Sequence, residues 1–313
     1  MEYTAVTRAS SAATAAKAAS GQVLVPVSDA NQQEAVASSL SASSAMGKAA
    51  KKENKGVKSK HGIAKQQKKG AKKGGGGGGP DPPSSPTRQP PSRASGGVPD
   101  PSPAYLDQAL GKPWDLARPR RLLVVLDLNG TMLHRPSKRR PFHFVERPHA
   151  QRFLAYCLDN FHLAIWSSAR PANVARMVEK LLSPDQVRRC LLVWARDRFR
   201  LSPQDYDARV QVYKRLTRVW DDPAVRVSHP ASAHGGRWDQ SNTVLVDDSR
   251  EKGRSEPYNI LPLPEFSGLA NETAEVLPQV HDYLNTLCWQ ADVSRYIRES
   301  PFQLDPNYRL SNQ

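Results

Sequence analysis

Two short apolar runs that each end in an aspartate constrain the fold of this chain more than any other feature. The run Leu122–Leu126 is followed by Asp127, and the run Thr243–Val246 is followed by Asp247. A short, continuous apolar run is typical of a strand buried on both faces, as in a parallel sheet covered by helices. The carboxyl ends of such strands meet at one edge of the sheet, where ligands bind. The two aspartates are therefore predicted to lie together at a binding site.

Helical and extended segments alternate along the same part of the chain. Helices are predicted to begin near Arg147-Pro148 and at Pro171, because proline is favoured in the first turn and apolar residues follow at helical spacing. This alternation predicts an α/β fold with three layers, in which helices cover both faces of a mostly parallel sheet. The remaining predicted elements are strands at His162–Trp166, Leu191–Trp194 and Asn259–Leu263 and a closing helix at Thr273–Trp289.

The first third of the chain has a different composition. Residues 48–73 hold 11 lysines and a single acidic residue, Glu53, and six glycines and a Pro/Ser-rich stretch follow. Such segments bury too little apolar surface to offset the entropy of ordering them. The predicted organisation is a disordered basic tail over residues 1–104, a folded domain over 105–303 and a short tail over 304–313.

The lysine-rich stretch also bears on location and partners. It predicts a nuclear address, and dense lysine favours weak contact with nucleic acid or an acidic partner. No aromatic residues lie between the lysines, so base stacking is not indicated. The Ala/Ser/Thr-rich first 28 residues leave a mitochondrial address as the alternative. No apolar run reaches the roughly 18 residues of a membrane span, so none is predicted.

Polar residues of four segments are predicted to converge at the sheet edge. Asp127, Asn129 and Thr131 follow the first strand, and Ser167 ends the second. Carboxylates suit Mg²⁺, while lysine and hydroxyl donors offset the charge of a phosphoryl group. The pattern therefore predicts a magnesium-assisted phosphoryl-transfer site, completed by Lys214 and by the adjacent Asp247 and Asp248.

These four segments resemble, in order, the four motifs of the haloacid dehalogenase superfamily. The flanking residues are similar to those of the CTD-phosphatase-like domain, also called the NLI-interacting-factor family. Val145–Pro148 resembles its hydrophobic-x-Arg-Pro-Gly signature, with His149 in place of the glycine, and Arg196-Asp197 stands where the family often has Arg-Glu. The resemblance covers roughly residues 120–300. The same family includes the receptor subunit of the mitochondrial inner-membrane translocase.

The resemblance implies a role for each matched position. Asp127 would be the nucleophile that forms an aspartyl-phosphate, and Asn129 stands where the family has its general acid/base aspartate. An amide does not titrate, so it can neither protonate a leaving group nor activate water. Asn129 would still offer a metal ion its backbone carbonyl. The other implied roles are phosphate contacts for Thr131, Ser167 and Lys214 and metal binding for Asp127, Asp247 and Asp248.

Three functions are compatible with these residues. The first is a Mg²⁺-dependent protein serine/threonine phosphatase, since little sequence is left for a cap domain and an open site suits a phosphorylated protein segment. Arg170 is a further candidate for binding that substrate. The second is a catalytically weak protein that binds phosphopeptides, as Asn129 indicates. The third is a mitochondrial import component like the translocase receptor.

Overall fold

A five-stranded parallel sheet organises the fold in this computed structural model, which describes residues 88–137, 139–140, 142–208 and 210–310. The strand order is β5-β4-β1-β6-β7, so the first strand lies at the centre. The central position explains the continuous apolar run of β1, whose residues are all buried. The strands are β1 (Leu123–Leu126), β4 (His162–Trp166), β5 (Leu192–Trp194), β6 (Thr243–Asp247) and β7 (Ile260–Pro262).

Helices cover both faces of the sheet, which confirms the predicted α/β architecture. Alternate residues of β1 point to opposite sides: Val124 and Leu126 pack in one apolar cluster, and Leu123 and Val125 in the other. The first cluster includes side chains of α2, α3 and α8, and the second includes those of α6 and α7. The helices are α1 (Pro103–Ala109), α2 (Ala150–Asn160), α3 (Pro171–Leu181), α4 (Pro184–Arg189), α5 (Pro203–Asp207), α6 (Leu216–Trp220), α7 (Pro223–Val227), α8 (Val276–Cys288) and α9 (Val293–Glu299).

A small antiparallel hairpin follows β1, in the part of the chain where the sequence predicted a minimal cap. Its strands β2 (Leu133–His134) and β3 (Val145–Glu146) lie between β1 and α2. The short hairpin leaves the carboxyl edge of the sheet open, in line with the predicted minimal cap.

The segment 88–104 was predicted to belong to a disordered tail, but the structure shows it attached to the domain. Ser92 donates from its backbone nitrogen and its hydroxyl to Asp205 Oδ2, at 2.8 and 2.6 Å, and the Ser95 hydroxyl donates to the same oxygen. A polar segment without an apolar stripe is thus held by hydrogen bonds to a distant carboxylate. The predicted disorder of residues 1–87, including the lysine-rich stretch, lies outside the described residues.

The carboxyl-terminal segment also contacts the domain. Asp305 and Gln279 of α8 exchange two hydrogen bonds of 2.8 and 3.0 Å, and Leu304 packs against the apolar core. Leu304 and Asp305 therefore lie on the domain, although the sequence predicted that a short tail begins there.

Candidate active site

The register of the sheet brings the predicted site residues to one edge. Leu126 lies opposite Ile165 of β4 and Val246 of β6, so Asp127, Ser167 and Asp247 lie at the carboxyl ends of three adjacent strands. The Asp127 nitrogen donates to the Val246 carbonyl at 3.0 Å, which fixes the two strand ends to each other. The side chains of all three residues are buried.

Two lysines join the aspartates in a buried group of five charged side chains: Asp127, Asp247, Asp248, Lys214 and Lys252. We call this group the charge cluster. Lys214 Nζ lies 2.8 Å from Asp127 Oδ1 and 2.6 Å from Asp247 Oδ2. Lys252 Nζ contacts all three carboxylates, at 3.3 Å for Asp127 Oδ2 and 2.8 Å for both Asp247 Oδ1 and Asp248 Oδ1. Each ammonium therefore bridges carboxylates from two different strands.

Burial and charge pairing act against each other in this cluster. Burial alone would raise the pKa of Asp247, but the Lys214 and Lys252 ammonium groups lower it well below the ordinary range. Burial likewise disfavours the Lys252 ammonium, yet the three carboxylates raise its pKa well above the usual value. Burial together with the Asp127 and Asp247 carboxylates raises the pKa of Asp248 to about 7, with Lys252 opposing the shift.

The loop after β1 is shaped by Gly130 and held by Arg147. Gly130 has φ +86°, and a Cβ atom there would lie 2.3 Å from Asp248 Oδ2. Only glycine therefore allows both this turn and the close approach of Asp248. The fully buried Arg147 guanidinium donates to the carbonyls of Thr131 and Pro264, at 2.9 and 2.7 Å, and pairs with Glu272 at 2.6 Å. Arg147 thus ties the loop after β1 to the segment after β7.

The two hydroxyl residues lie at the same edge with different contacts. Thr131 Oγ1 lies 3.4 Å from Asp127 Oδ2, at the limit of a hydrogen bond. Ser167 Oγ accepts a long hydrogen bond of 3.4 Å from the Ala169 nitrogen. Both hydroxyls are buried and have no stronger hydrogen bond within the described part of the chain, so each has capacity for a ligand oxygen.

A cavity of about 600 Å³ has Asn129 and Ser168 on its wall, although no member of the charge cluster lines it. Arginines line much of it: Arg88, Arg135, Arg170 and Arg196. Arg170 Nη2 donates to Asp207 at 2.7 Å, and Arg196 donates to three main-chain carbonyls of the segment 205–208. We call this space the arginine cavity. Its lining favours an anionic ligand that reaches the sheet edge from solvent.

Lys252 is the residue of the charge cluster that sequence reasoning missed. It follows Asp247 in the 3₁₀ turn Arg250–Gly253, where a lysine ordinarily reads as a solvated side chain. Its position beside an Asp-Asp pair was the available signal, but its burial depends on how this turn packs against β6 and β7.

The three carboxylates of the cluster have the spacing of a metal site. One oxygen from each of Asp127, Asp247 and Asp248 lies within 4.8 Å of the others. A set of carboxylate oxygens has the donor chemistry that Mg²⁺ prefers.

Comparison with known proteins assigns the family. The family model described as NLI interacting factor-like phosphatase matches residues 122–294, which include every member of the charge cluster. The chain belongs to this family. An FCP1 homology domain-containing protein of Schizosaccharomyces pombe, described as uncharacterised, is 32% identical over 221 residues, covering 66% of this chain and 87% of the relative. A putative CTD phosphatase-like protein of Invertebrate iridescent virus 6 is 26% identical over 142 residues, covering 44% and 72%.

Solved structures of more distant proteins also match this NLI interacting factor-like chain. The fission yeast RNA polymerase II CTD phosphatase Fcp1 bound to beryllium fluoride is 13% identical, with a TM-score of 0.28 over 47% of this chain and 42% of that one. An uncharacterised protein from Listeria monocytogenes serotype 4b is 16% identical, with a TM-score of 0.33 over 53% and 98%. Among the described residues, no helix has the length and apolar character needed to cross a membrane.

Proposed function

We propose that this domain is a protein phosphatase that accepts phosphorylated serine or threonine in a segment of another protein and transfers the phosphoryl group to Asp127. The observation that carries the proposal is the position of Asp127, whose buried carboxylate ends β1 and contacts both Lys214 and Lys252. A carboxylate beside ammonium groups at a strand end is suited to attack phosphorus, because the cations also attract the phosphoryl oxygens.

In the proposed reaction, an Asp127 oxygen forms a bond to phosphorus while the bond from phosphorus to the serine or threonine oxygen breaks. The leaving oxygen takes up a proton from solvent, and water then hydrolyses the aspartyl-phosphate to release inorganic phosphate and restore the carboxylate. We assign Lys214, Thr131 and Ser167 to the phosphoryl oxygens, since ammonium and hydroxyl donors offset their negative charge.

We propose that Asp127, Asp247 and Asp248 hold Mg²⁺, with the Asn129 carbonyl as a further ligand. The spacing of the three carboxylates and their oxygen chemistry support this assignment. When bound, the ion would offset the negative charge of the transferring phosphoryl group.

Asn129 sets the expected speed of this reaction. Proton transfer by a positioned acid and base is typically worth about 10²–10⁴-fold in rate, and the Asn129 amide supplies neither. We therefore expect slow hydrolysis of phosphoserine and relatively faster hydrolysis of an aryl phosphate, whose leaving group needs little protonation. The same residue supports a second candidate function, in which the domain binds phosphorylated segments without turning them over.

Phosphatase assays on the full-length chain with Mg²⁺ separate the two candidates. We expect slow release of phosphate from a phosphoserine peptide, its loss in Asp127→Asn, and an increase of about 10²-fold or more in Asn129→Asp. Activity that arises only in Asn129→Asp would favour the binding function. No activity in either protein, together with no phosphopeptide binding, would overturn both candidates.

The arginine cavity supports an extended, anionic protein segment as the substrate class. Arg135 lines this cavity and has no hydrogen-bond or ion-pair partner among the residues that the structure describes. We expect Arg135→Gln to raise KM for a phosphopeptide about 3- to 10-fold with little change in kcat, because the contact is made before and during reaction alike. The KM for a small aryl phosphate should not change. Arg226→Gln, at an exposed position on α7, is the control; an equal effect there would exclude a specific role for Arg135.

We further propose a nuclear location, on the strength of the lysine-rich residues 48–73. A fluorescent reporter fused to these residues should accumulate in the nucleus, and replacement of the lysines by glutamine should release it. Mitochondrial import of the full-length chain would instead support the alternative address and the import function that goes with it.

A further inference from the structure

The Lys252 ammonium contacts the same three carboxylates that form the candidate metal site. Its Nζ lies 2.8 to 3.3 Å from oxygens of Asp127, Asp247 and Asp248. An ammonium has three protons to donate, so these three acceptors satisfy it completely. The three residues are also those whose oxygens have metal-site spacing.

The backbone holds Lys252 firmly at this position. Its nitrogen donates to the Ser249 carbonyl at 3.0 Å, and its carbonyl accepts from the Lys214 nitrogen at 2.7 Å. The side chain is almost fully buried, with 6% of it exposed. Lys252 can therefore leave the carboxylates only by rotation of its flexible stem, while its main chain stays in place.

A divalent cation bound at these oxygens would lie close to the Lys252 ammonium. Mg²⁺ binds oxygen at about 2.0–2.1 Å, so an ion that shares oxygens with Lys252 Nζ would lie only a few ångströms from a second positive charge. Two such charges repel by several kcal/mol even at the effective dielectric constant of a protein site, about 20. The two cations therefore compete for the same carboxylates.

We propose that Lys252 is a tethered competitor for the metal site: its ammonium binds Asp127, Asp247 and Asp248 when no divalent ion is present, and moves away when Mg²⁺ binds. Lys252 thereby weakens Mg²⁺ binding and keeps the carboxylates paired between metal-binding events. Lys214 differs because it contacts only two of the carboxylates, Asp127 and Asp247. This inference rests on the metal site of the proposed function.

Calorimetric titration of the full-length chain with Mg²⁺, without substrate, tests the competition. We expect Lys252→Met, which keeps the linear side chain and removes the charge, to bind Mg²⁺ about 10- to 100-fold more tightly than the native chain. Lys252→Arg keeps the charge and should not gain affinity. Lys112→Met removes one exposed positive charge away from the site and controls for net charge; an equal gain there would overturn the inference.

A second measurement uses the native chain and does not depend on the folding of a variant. Lysine acylation, read by mass spectrometry, should increase at Lys252 when Mg²⁺ is added and stay constant at Lys112, because only Lys252 is released to solvent. Unchanged Lys252 acylation at saturating Mg²⁺ would overturn the competition and leave the phosphatase proposal intact. Absence of Mg²⁺ binding by both the native chain and Lys252→Met would overturn the metal site itself.

Discussion

The two ends of the parallel sheet hold buried polar groups in opposite ways. At the carboxyl end, the charge cluster brings three carboxylates and two ammonium groups into mutual contact. At the amino end, hydrogen bonds between neutral groups hold the buried Asn259 side chain: the Tyr105 hydroxyl donates to Asn259 Oδ1 at 2.9 Å, and Asn259 Nδ2 donates to the carbonyls of Gln240 and Thr243. Both Asn259 and most members of the charge cluster are buried, so burial alone does not decide which groups stay charged.

The pKa values of His162 and Asp247 show how neighbouring charges change the effect of burial. Burial lowers the pKa of His162, the first residue of β4, to about 4, and the nearby Arg121 and His229 add to the shift. Burial also opposes the charge of Asp247, but there the adjacent lysines prevail. Charges survive at the carboxyl end because each has an opposite partner, whereas the His162 imidazole stays neutral without one. The fold thus holds a mutually paired group of buried charges at the edge proposed to bind phosphate.

Removal of Lys214 should produce the largest loss of stability. Lys214→Met leaves Asp127 and Asp247 to share the single ammonium of Lys252. Removal of one partner of a buried ion pair costs about 3–5 kcal/mol. The free energy of unfolding, measured by urea denaturation at pH 7, should fall by that amount. Lys180→Met is the matched control, because Lys180 forms an ion pair of 2.8 Å with Glu146 at the surface and should cost less than about 1 kcal/mol. Similar losses in the two variants would contradict the charge-pairing account.

The free energy of unfolding should be less sensitive to removal of the Asn259 side chain. Asn259→Ala leaves the Tyr105 hydroxyl and two carbonyls without their partner, which should lower the free energy of unfolding by about 2–3 kcal/mol. Asn271→Ala removes an exposed side-chain hydrogen bond to Ser267 and should cost under about 1 kcal/mol. A loss for Asn259→Ala as large as that for Lys214→Met would remove the distinction between the two ends.

Much of the fold and of the charge cluster was predictable from sequence. The remaining features were not, and the physical reason can be named for each. The apolar run before Asp127 predicted a strand covered on both faces, because such a strand needs apolar side chains on each face. The burial of Lys252 was not predictable, since it depends on a turn meeting a strand distant in the sequence. The attachment of residues 88–104 was missed for the same reason: Asp205 accepts three hydrogen bonds from serines that composition alone assigns to a tail.

The neutral state of His162 predicts a loss of stability as the pH falls, whereas the raised pKa of Asp248 in the charge cluster acts in the opposite direction. Its folded pKa of about 4 lies below the unfolded value of 6.5, so the stabilisation is complete above pH 6.5 and is lost as the pH falls towards 4. Because the ring is partly exposed, we expect a loss of about 1–2 kcal/mol over this window. His162→Gln should remove this contribution to the pH dependence when the free energy of unfolding is compared at pH 7 and pH 4.5. The same slope in both proteins would show that His162 is not the titrating group.

The smallest expected effect concerns His149, where the sequence departs from the glycine of the family signature. His149 has φ +66°, a left-handed conformation that costs a residue with a Cβ atom about 1 kcal/mol, and its ring contacts Glu275 at 2.8 Å. His149→Ala keeps the strain and loses the contact, whereas His149→Gly loses the contact but also relieves the strain. The free energy of unfolding of the glycine variant should therefore be about 1 kcal/mol higher than that of the alanine variant and close to that of the native chain. An alanine variant as stable as the glycine variant would mean that the backbone relaxes at this position, and the surface contact with Glu275 would then account for the choice of histidine.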